Sequence, residues 1–144
     1  MKTRIPLKII KIDDSGYHLA ATIILNGLPA RVVIDTGASH SVFDKERIKK
    51  FLNEEKIKDV KKLSSGLGTN TMKSQEARIY KMELGKIVLK NHKLVLLDLS
   101  HVIRSYESIG KKAIDGVIGS DILKRLNAVI DFSEKSLTIS QKKR

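Results

Sequence analysis

The segment 17–35 leaves few folds open. Tyr17, Leu19, Ala21, Ile23 and Leu25 alternate with other residues, so they line one face of a β-strand. Asn26-Gly27 follows, the dipeptide best suited to a two-residue hairpin turn, because both residues tolerate a positive φ. Residues 28–35, Leu-Pro-Ala-Arg-Val-Val-Ile-Asp, return as the second strand.

The remaining segments keep to the same class. Residues 4–12 are rich in β-formers, and Pro6 suits an edge strand or a strand start. Asp13-Asp14-Ser15-Gly16 is a turn. Asp44 is placed to cap a short helix over 45–52, with Ile48 and Phe51 on one face. Residues 53–62 are charged and belong on the surface. The polar loop 64–71 lies between β-capable stretches at 58–64 and 72–84, which reads as a long hairpin with a glycine tip. Strands are expected at 86–90 and 93–99, turning at Asn91-His92, and a short helix at 101–108. Ile114-Asp115-Gly116-Val117-Ile118-Gly119 is apolar with tight turns, after which Ser120 or Asp121 caps a helix ending near Leu126-Asn127. Strands at 128–132 and 137–140 flank the turn Ser133-Glu134-Lys135-Ser136. The fold class is mainly β, a barrel or sandwich, with two or three short helices.

Composition narrows the function. A length of 144 residues suits one domain, 1–144. With no cysteine there is no disulfide scaffold, thiolate zinc site or cysteine nucleophile. The apolar runs are far below the roughly 18 residues a membrane helix needs. Lys8 and Lys11 interrupt the first apolar run, so no signal peptide is read there, and a cytoplasmic protein is expected. The net charge of +12 raises nucleic-acid binding as an alternative. That charge is spread out: segment 44–62 holds eight cations against five anions. Three Tyr and three Phe offer few stacking platforms, so a solvated surface is favoured over a nucleic-acid partner.

Val32-Val33-Ile34-Asp35-Thr36-Gly37-Ala38-Ser39 carries the chemistry: an apolar strand delivers a carboxylate into a turn. Ser39-His40-Ser41 also brings serine-hydrolase residue types together, but no Gly-x-Ser-x-Gly elbow exists. His18, His92 and His101 lack metal-ligand spacing, so no metal is expected.

The segment resembles the aspartic protease motif, two apolar residues followed by Asp-Thr-Gly-Ala/Ser. Ala113-Ile114-Asp115-Gly116-Val117-Ile118-Gly119-Ser120-Asp121-Ile122-Leu123 resembles a later element of that fold, and 128–132 with 137–139 its closing strands. Leu97-Asp98-Leu99-Ser100-His101-Val102 is similar to bacterial single-domain members. Over about residues 17–140 the chain resembles the retropepsin-like aspartic proteases. The resemblance implies a closed or partly open β-barrel equal to one protease lobe, with no cofactor. It makes Asp35 the catalytic carboxylate, which holds or activates water, and Thr36, Gly37 and Ala38 its supporting loop. Gly66, Leu67 and Gly68 fall where the family keeps its substrate-covering flap. Val117, Ile118 and Gly119 match the apolar-apolar-Gly element that braces the loop. The chemistry uses two carboxylates. This chain has one Asp-Thr-Gly, and Asp115 and Asp131 lack that context. The expectation is therefore a homodimer that cleaves peptide or protein substrates. The alternative is a catalytically silent member of the same fold that binds peptides.

Overall fold

The computed structural model describes residues 1–60 and 74–142. Eleven strands and two α-helices occur there: β1 (Lys2–Pro6), β2 (Lys8–Lys11), β3 (Tyr17–Leu25), β4 (Leu28–Ile34), β5 (Val42–Asp44), β6 (Lys58–Val60), β7 (Ser74–Leu84), β8 (Ile87–Leu97), α1 (Ser100–Ser108), β9 (Gly116–Ile118), α2 (Ser120–Arg125), β10 (Val129–Asp131) and β11 (Ser136–Ser140). The architecture is mainly β, as expected.

The hairpin of β3 and β4 forms in the anticipated register, Leu25 opposite Leu28, with Asn26 at φ +48° and Gly27 at +85°. Strand neighbours run β3-β4-β9-β5-β8-β7, and β7 returns to β3 through Leu25↔Met82 and Ile24↔Glu83. Six strands thus close a barrel, which leaves no free edge within the ring. β2 flanks β3 and β6 flanks β7. A separate three-stranded sheet orders β1-β11-β10. Ile23, Leu25, Phe43, Ile79, Met82, Leu96 and Ile118 are among the fully buried side chains of the barrel core. Burying one such side chain contributes about 1.5–3 kcal/mol relative to leaving it exposed.

Pro6 ends β1 at a sheet edge, where its missing N–H costs no ladder bond. Asp13 shapes the next turn by accepting the Ser15 and Gly16 N–H groups at 3.0 and 2.6 Å.

Three expectations need correction. The segments 86–90 and 93–99 are one strand, β8, and do not turn at Asn91-His92. Asn91 takes φ +49° within the strand, yet Lys90 and His92 both keep their β7 partners. Arg78 donates to the Asn91 carbonyl at 2.7 Å across the irregularity. The reversal lies instead at Gly85, φ +59°, where a Cβ would come within 2.6 Å of Thr3 Oγ1. The helix over 45–52 is a single 3-10 turn, Arg47–Lys50, closed by Phe51 N–H to Ile48 O at 2.9 Å. Its N-cap is Glu46 and not Asp44, which lies two residues earlier; one Asp44 oxygen accepts the Glu46 and Arg47 N–H groups, and the other holds Leu99 N–H at 2.9 Å. Ile48 and Phe51 are buried beneath that turn as expected. Finally, neither Ser120 nor Asp121 caps α2, whose N-cap is Gly119.

The arms of the long hairpin pair as β6 and β7, Val60 opposite Ser74. Its tip, with Gly66, Leu67 and Gly68, lies outside the described residues.

Candidate active site

β4 and β9 lie parallel, with Ile34 beside Ile118. This pairing carries the backbone past Ile34 into the Asp-Thr-Gly turn. Asp35 N–H continues the ladder to Ile118 O at 3.0 Å. Ala38 N–H donates to Asp35 O at 3.2 Å, and Gly37 N–H to Asp35 Oδ1 at 2.9 Å. The carboxylate is thus oriented by its own loop while Asp35, Thr36 and Gly37 remain exposed.

The apolar-apolar-Gly element locks the loop from below. Ser120 N–H donates to Ala38 O at 2.7 Å. A Cβ on Gly119 would lie 2.6 Å from that same oxygen and 3.0 Å from the His40 carbonyl, so no other residue fits without moving the loop. Gly116 is needed for a similar reason, since a Cβ there would run into the Phe43 ring.

A second lock was not legible in the sequence. Gly119 N–H donates to Ser41 Oγ at 2.8 Å. The Ser41 hydroxyl donates to Asp121 Oδ1 at 2.7 Å, and Ser41 N–H reaches both carboxylate oxygens at 3.0 Å. Ser41 is buried and its hydroxyl already used, so Ser41 is not free to act as a nucleophile. Burial pushes the Asp121 carboxyl up, but bonds from Ser41 and from Ile122 N–H outweigh it and hold the group below its ordinary value. A carboxylate lowered by folding stabilises the fold above its unfolded pKa, and that stability is lost as pH falls through the lowered value. An Asp121→Asn variant is therefore expected to melt lower at neutral pH. The gap to the unaltered chain should shrink as pH drops below the ordinary 3.8. The side chain is solvent-exposed, so the loss should stay under about 1 kcal/mol. Thermal melts across a pH series check both the sign and the shrinking gap.

The other two carboxylates near the motif have structural work. Asp115 is buried; its Oδ1 meets Arg47 Nε at 2.8 Å and Lys50 Nζ at 3.2 Å, and its Oδ2 accepts Arg31 N–H. Asp131 accepts Glu134 N–H in the turn before β11. Neither lines the cavity in which Asp35 stands. Among the described residues, no group of three or more His, Asp or Glu side chains is arranged to hold a metal ion.

The cavity beside Asp35 has a volume of about 470 Å³ and mostly apolar walls, including Val33, Val117, Ile130 and Phe132. α1 contributes Tyr106, packed with Val33 and Ile114 in a small second core. From β3, His18 Nδ1 meets the Tyr106 hydroxyl at 2.6 Å, the rings edge-on. Both line the cavity. Sequence spacing did not connect them, since 88 residues separate the two.

An exposed carboxylate held in an Asp-Thr-Gly turn, at the mouth of a cavity on a six-stranded barrel, is the arrangement of one aspartic protease lobe. The family model described as aspartyl protease matches residues 20–122. The chain belongs to the aspartyl protease family. Its fold is that of a retropepsin-like aspartic protease from Rickettsia conorii, at TM-score 0.58 and 20% identity over 98% of this chain and 96% of that one. The retroviral protease-like domain of Ddi1 from Leishmania major gives TM-score 0.58 and 21% identity, covering 85% and 87%. The EIAV protease, complexed with the inhibitor HBY-793, gives 0.54 and 16%, covering 78% and 90%. No curated protein matches the sequence. Among the described residues, no helix is long and apolar enough to cross a membrane.

Proposed function

We propose that the chain, 1–144 acting as one domain, is an aspartic endopeptidase whose working unit is a homodimer. The observation that carries this reading is the placement of Asp35: oriented by Gly37 N–H, exposed, and beside a mostly apolar cavity. The second carboxylate is then Asp35 of another copy, brought opposite the first by a two-fold axis. Val129 and Phe132, both 60% exposed on and beside edge strand β10, suit burial against that copy.

The two carboxyls share one proton, because like charges so close do not both ionise. The ionised Asp35 takes a proton from the water between them. The protonated one donates to the scissile carbonyl oxygen as the water oxygen attacks the carbon. The tetrahedral gem-diol collapses when the amide nitrogen is protonated and the C–N bond breaks. No covalent intermediate forms. Thr36, Gly37 and Ala38 hold the loop, and Val117, Ile118 and Gly119 brace it. Gly66, Leu67 and Gly68 are the proposed flap, which would bind extended peptide by main-chain hydrogen bonds.

Incubation with a peptide library, read by mass spectrometry, tests this. New termini inside the peptides, absent with Asp35→Asn, are expected. Sedimentation should show a dimer at the concentrations that cleave. A stable dimer that binds peptides and cuts none would leave a silent binding module.

A further inference from the structure

His18 and Tyr106 take no part in the chemistry proposed for Asp35, yet they share its cavity. Tyr106 is only 4% exposed and its ring packs with Val33 and Ile114. Burial raises the Tyr106 hydroxyl above its ordinary pKa; the Arg31 charge opposes this and the Asp35 charge adds to it. The phenol therefore keeps its proton at neutral pH.

Proton counting defines what such a pair can recognise. A neutral imidazole carries one N–H and a phenol one O–H, and the bond at 2.6 Å uses one of the two. If the phenol donates to Nδ1, then Nε2–H stays free to donate and the phenol oxygen to accept. If Nδ1–H donates, the phenol O–H stays free to donate and Nε2 to accept. Either tautomer leaves one donor and one acceptor. A hydroxyl, which is both at once, matches either state. A carboxylate only accepts, and it would also meet the Asp35 charge in the same cavity. An ammonium only donates, and its charge would lose water against apolar walls. Those walls, with a volume of about 470 Å³, favour a large flat body behind the hydroxyl.

We propose that the His18–Tyr106 pair makes this cavity selective for a tyrosine side chain of the substrate. The proposal rests on the endopeptidase reading and adds its preferred substrate side chain. A bond of this kind is worth about 3- to 10-fold in preference, because water reaches His18 and blunts the penalty of leaving the pair unmatched.

Two peptides identical except for Tyr or Phe beside the cut site test it. The unaltered chain is expected to favour the Tyr peptide in kcat/KM by about 3- to 10-fold. Tyr106→Phe, and separately His18→Leu, should bring that ratio to about one. If Tyr106→Phe does not fold, His18→Leu carries the test, since His18 is exposed. Calorimetry of both peptides on the Asp35→Asn chain gives a readout that needs no cleavage. There the Tyr peptide should bind more tightly, and adding Tyr106→Phe or His18→Leu should erase the difference. Asp35-dependent cleavage with no Tyr preference would overturn the pair's role and leave the protease reading standing. A Tyr preference in binding without any cleavage by the unaltered chain would do the reverse.

Discussion

Mixing the unaltered chain with a roughly nine-fold excess of Asp35→Asn chains should cut its cleavage activity to about a tenth. The Asn amide cannot take a proton from the bridging water, so the variant homodimer should be slower by at least roughly 10²–10⁴-fold. If the proposed homodimer is the working unit, most unaltered chains in the mixture would pair with a variant, and those mixed dimers would hold one carboxyl where the chemistry needs two. Random pairing makes the loss proportional to the unaltered fraction. A titration of variant into a fixed amount of unaltered chain, read as initial rate, checks this. A rate that ignores the variant would mean that each chain works alone, and the dimeric dyad would be wrong.

Gly119→Ala should have the next largest effect. The added methyl would sit 2.6 Å from Ala38 O and 3.0 Å from the His40 carbonyl, atoms of the backbone that carries Asp35. Neither can move without disturbing Ser120 N–H to Ala38 O or Gly119 N–H to Ser41 Oγ. Overpacking of this kind costs about 1–3 kcal/mol. A carboxylate displaced by about 1 Å loses about 10²-fold in rate. Activity should thus fall much further than the melting temperature suggests. The comparison is Gly37→Ala, whose methyl meets Asp35 Oδ1 at a milder 3.3 Å. Paired measurements of Tm and kcat/KM on the two variants check the ordering, and equal losses would mean that Gly119 does not set the loop.

The parts of the fold that were legible in sequence are those decided locally. Asn26-Gly27 has the backbone freedom a two-residue turn demands, so β3 and β4 followed from residues 17–35 alone. Asp35-Thr36-Gly37 and Val117-Ile118-Gly119 could be recognised because each is a short run whose spacing is set by one turn or one close approach. Asn91 misled because a positive φ is common to turns and to an irregular strand, and only the β7 partner distinguishes them. The 45–52 segment had helix-like spacing, yet it closes after one turn at Lys50. Ser41 with Asp121, and His18 with Tyr106, were invisible for another reason. Each pair joins residues about 80 or more positions apart, 80 and 88, and no periodicity within a window reports such a meeting. Taken singly in the sequence, Ser41 reads as a nucleophile and Asp121 as a cap. Each had the correct hydrogen-bonding character and the wrong partner.

The parallel pairing of β4 with β9 also orders events in time. Asp35 leaves the ribosome first, and Ile118 O, Ser120 N–H and Asp121, which orient its loop, come more than 80 residues later. At about 5–20 residues per second, several seconds separate the two segments during synthesis. Closing so long a loop is among the slower steps of folding. The growing chain therefore carries Asp35 without the backbone that aims it. The loop that carries Asp35 is held in place only after residues 118–121 have been made and have folded back onto it.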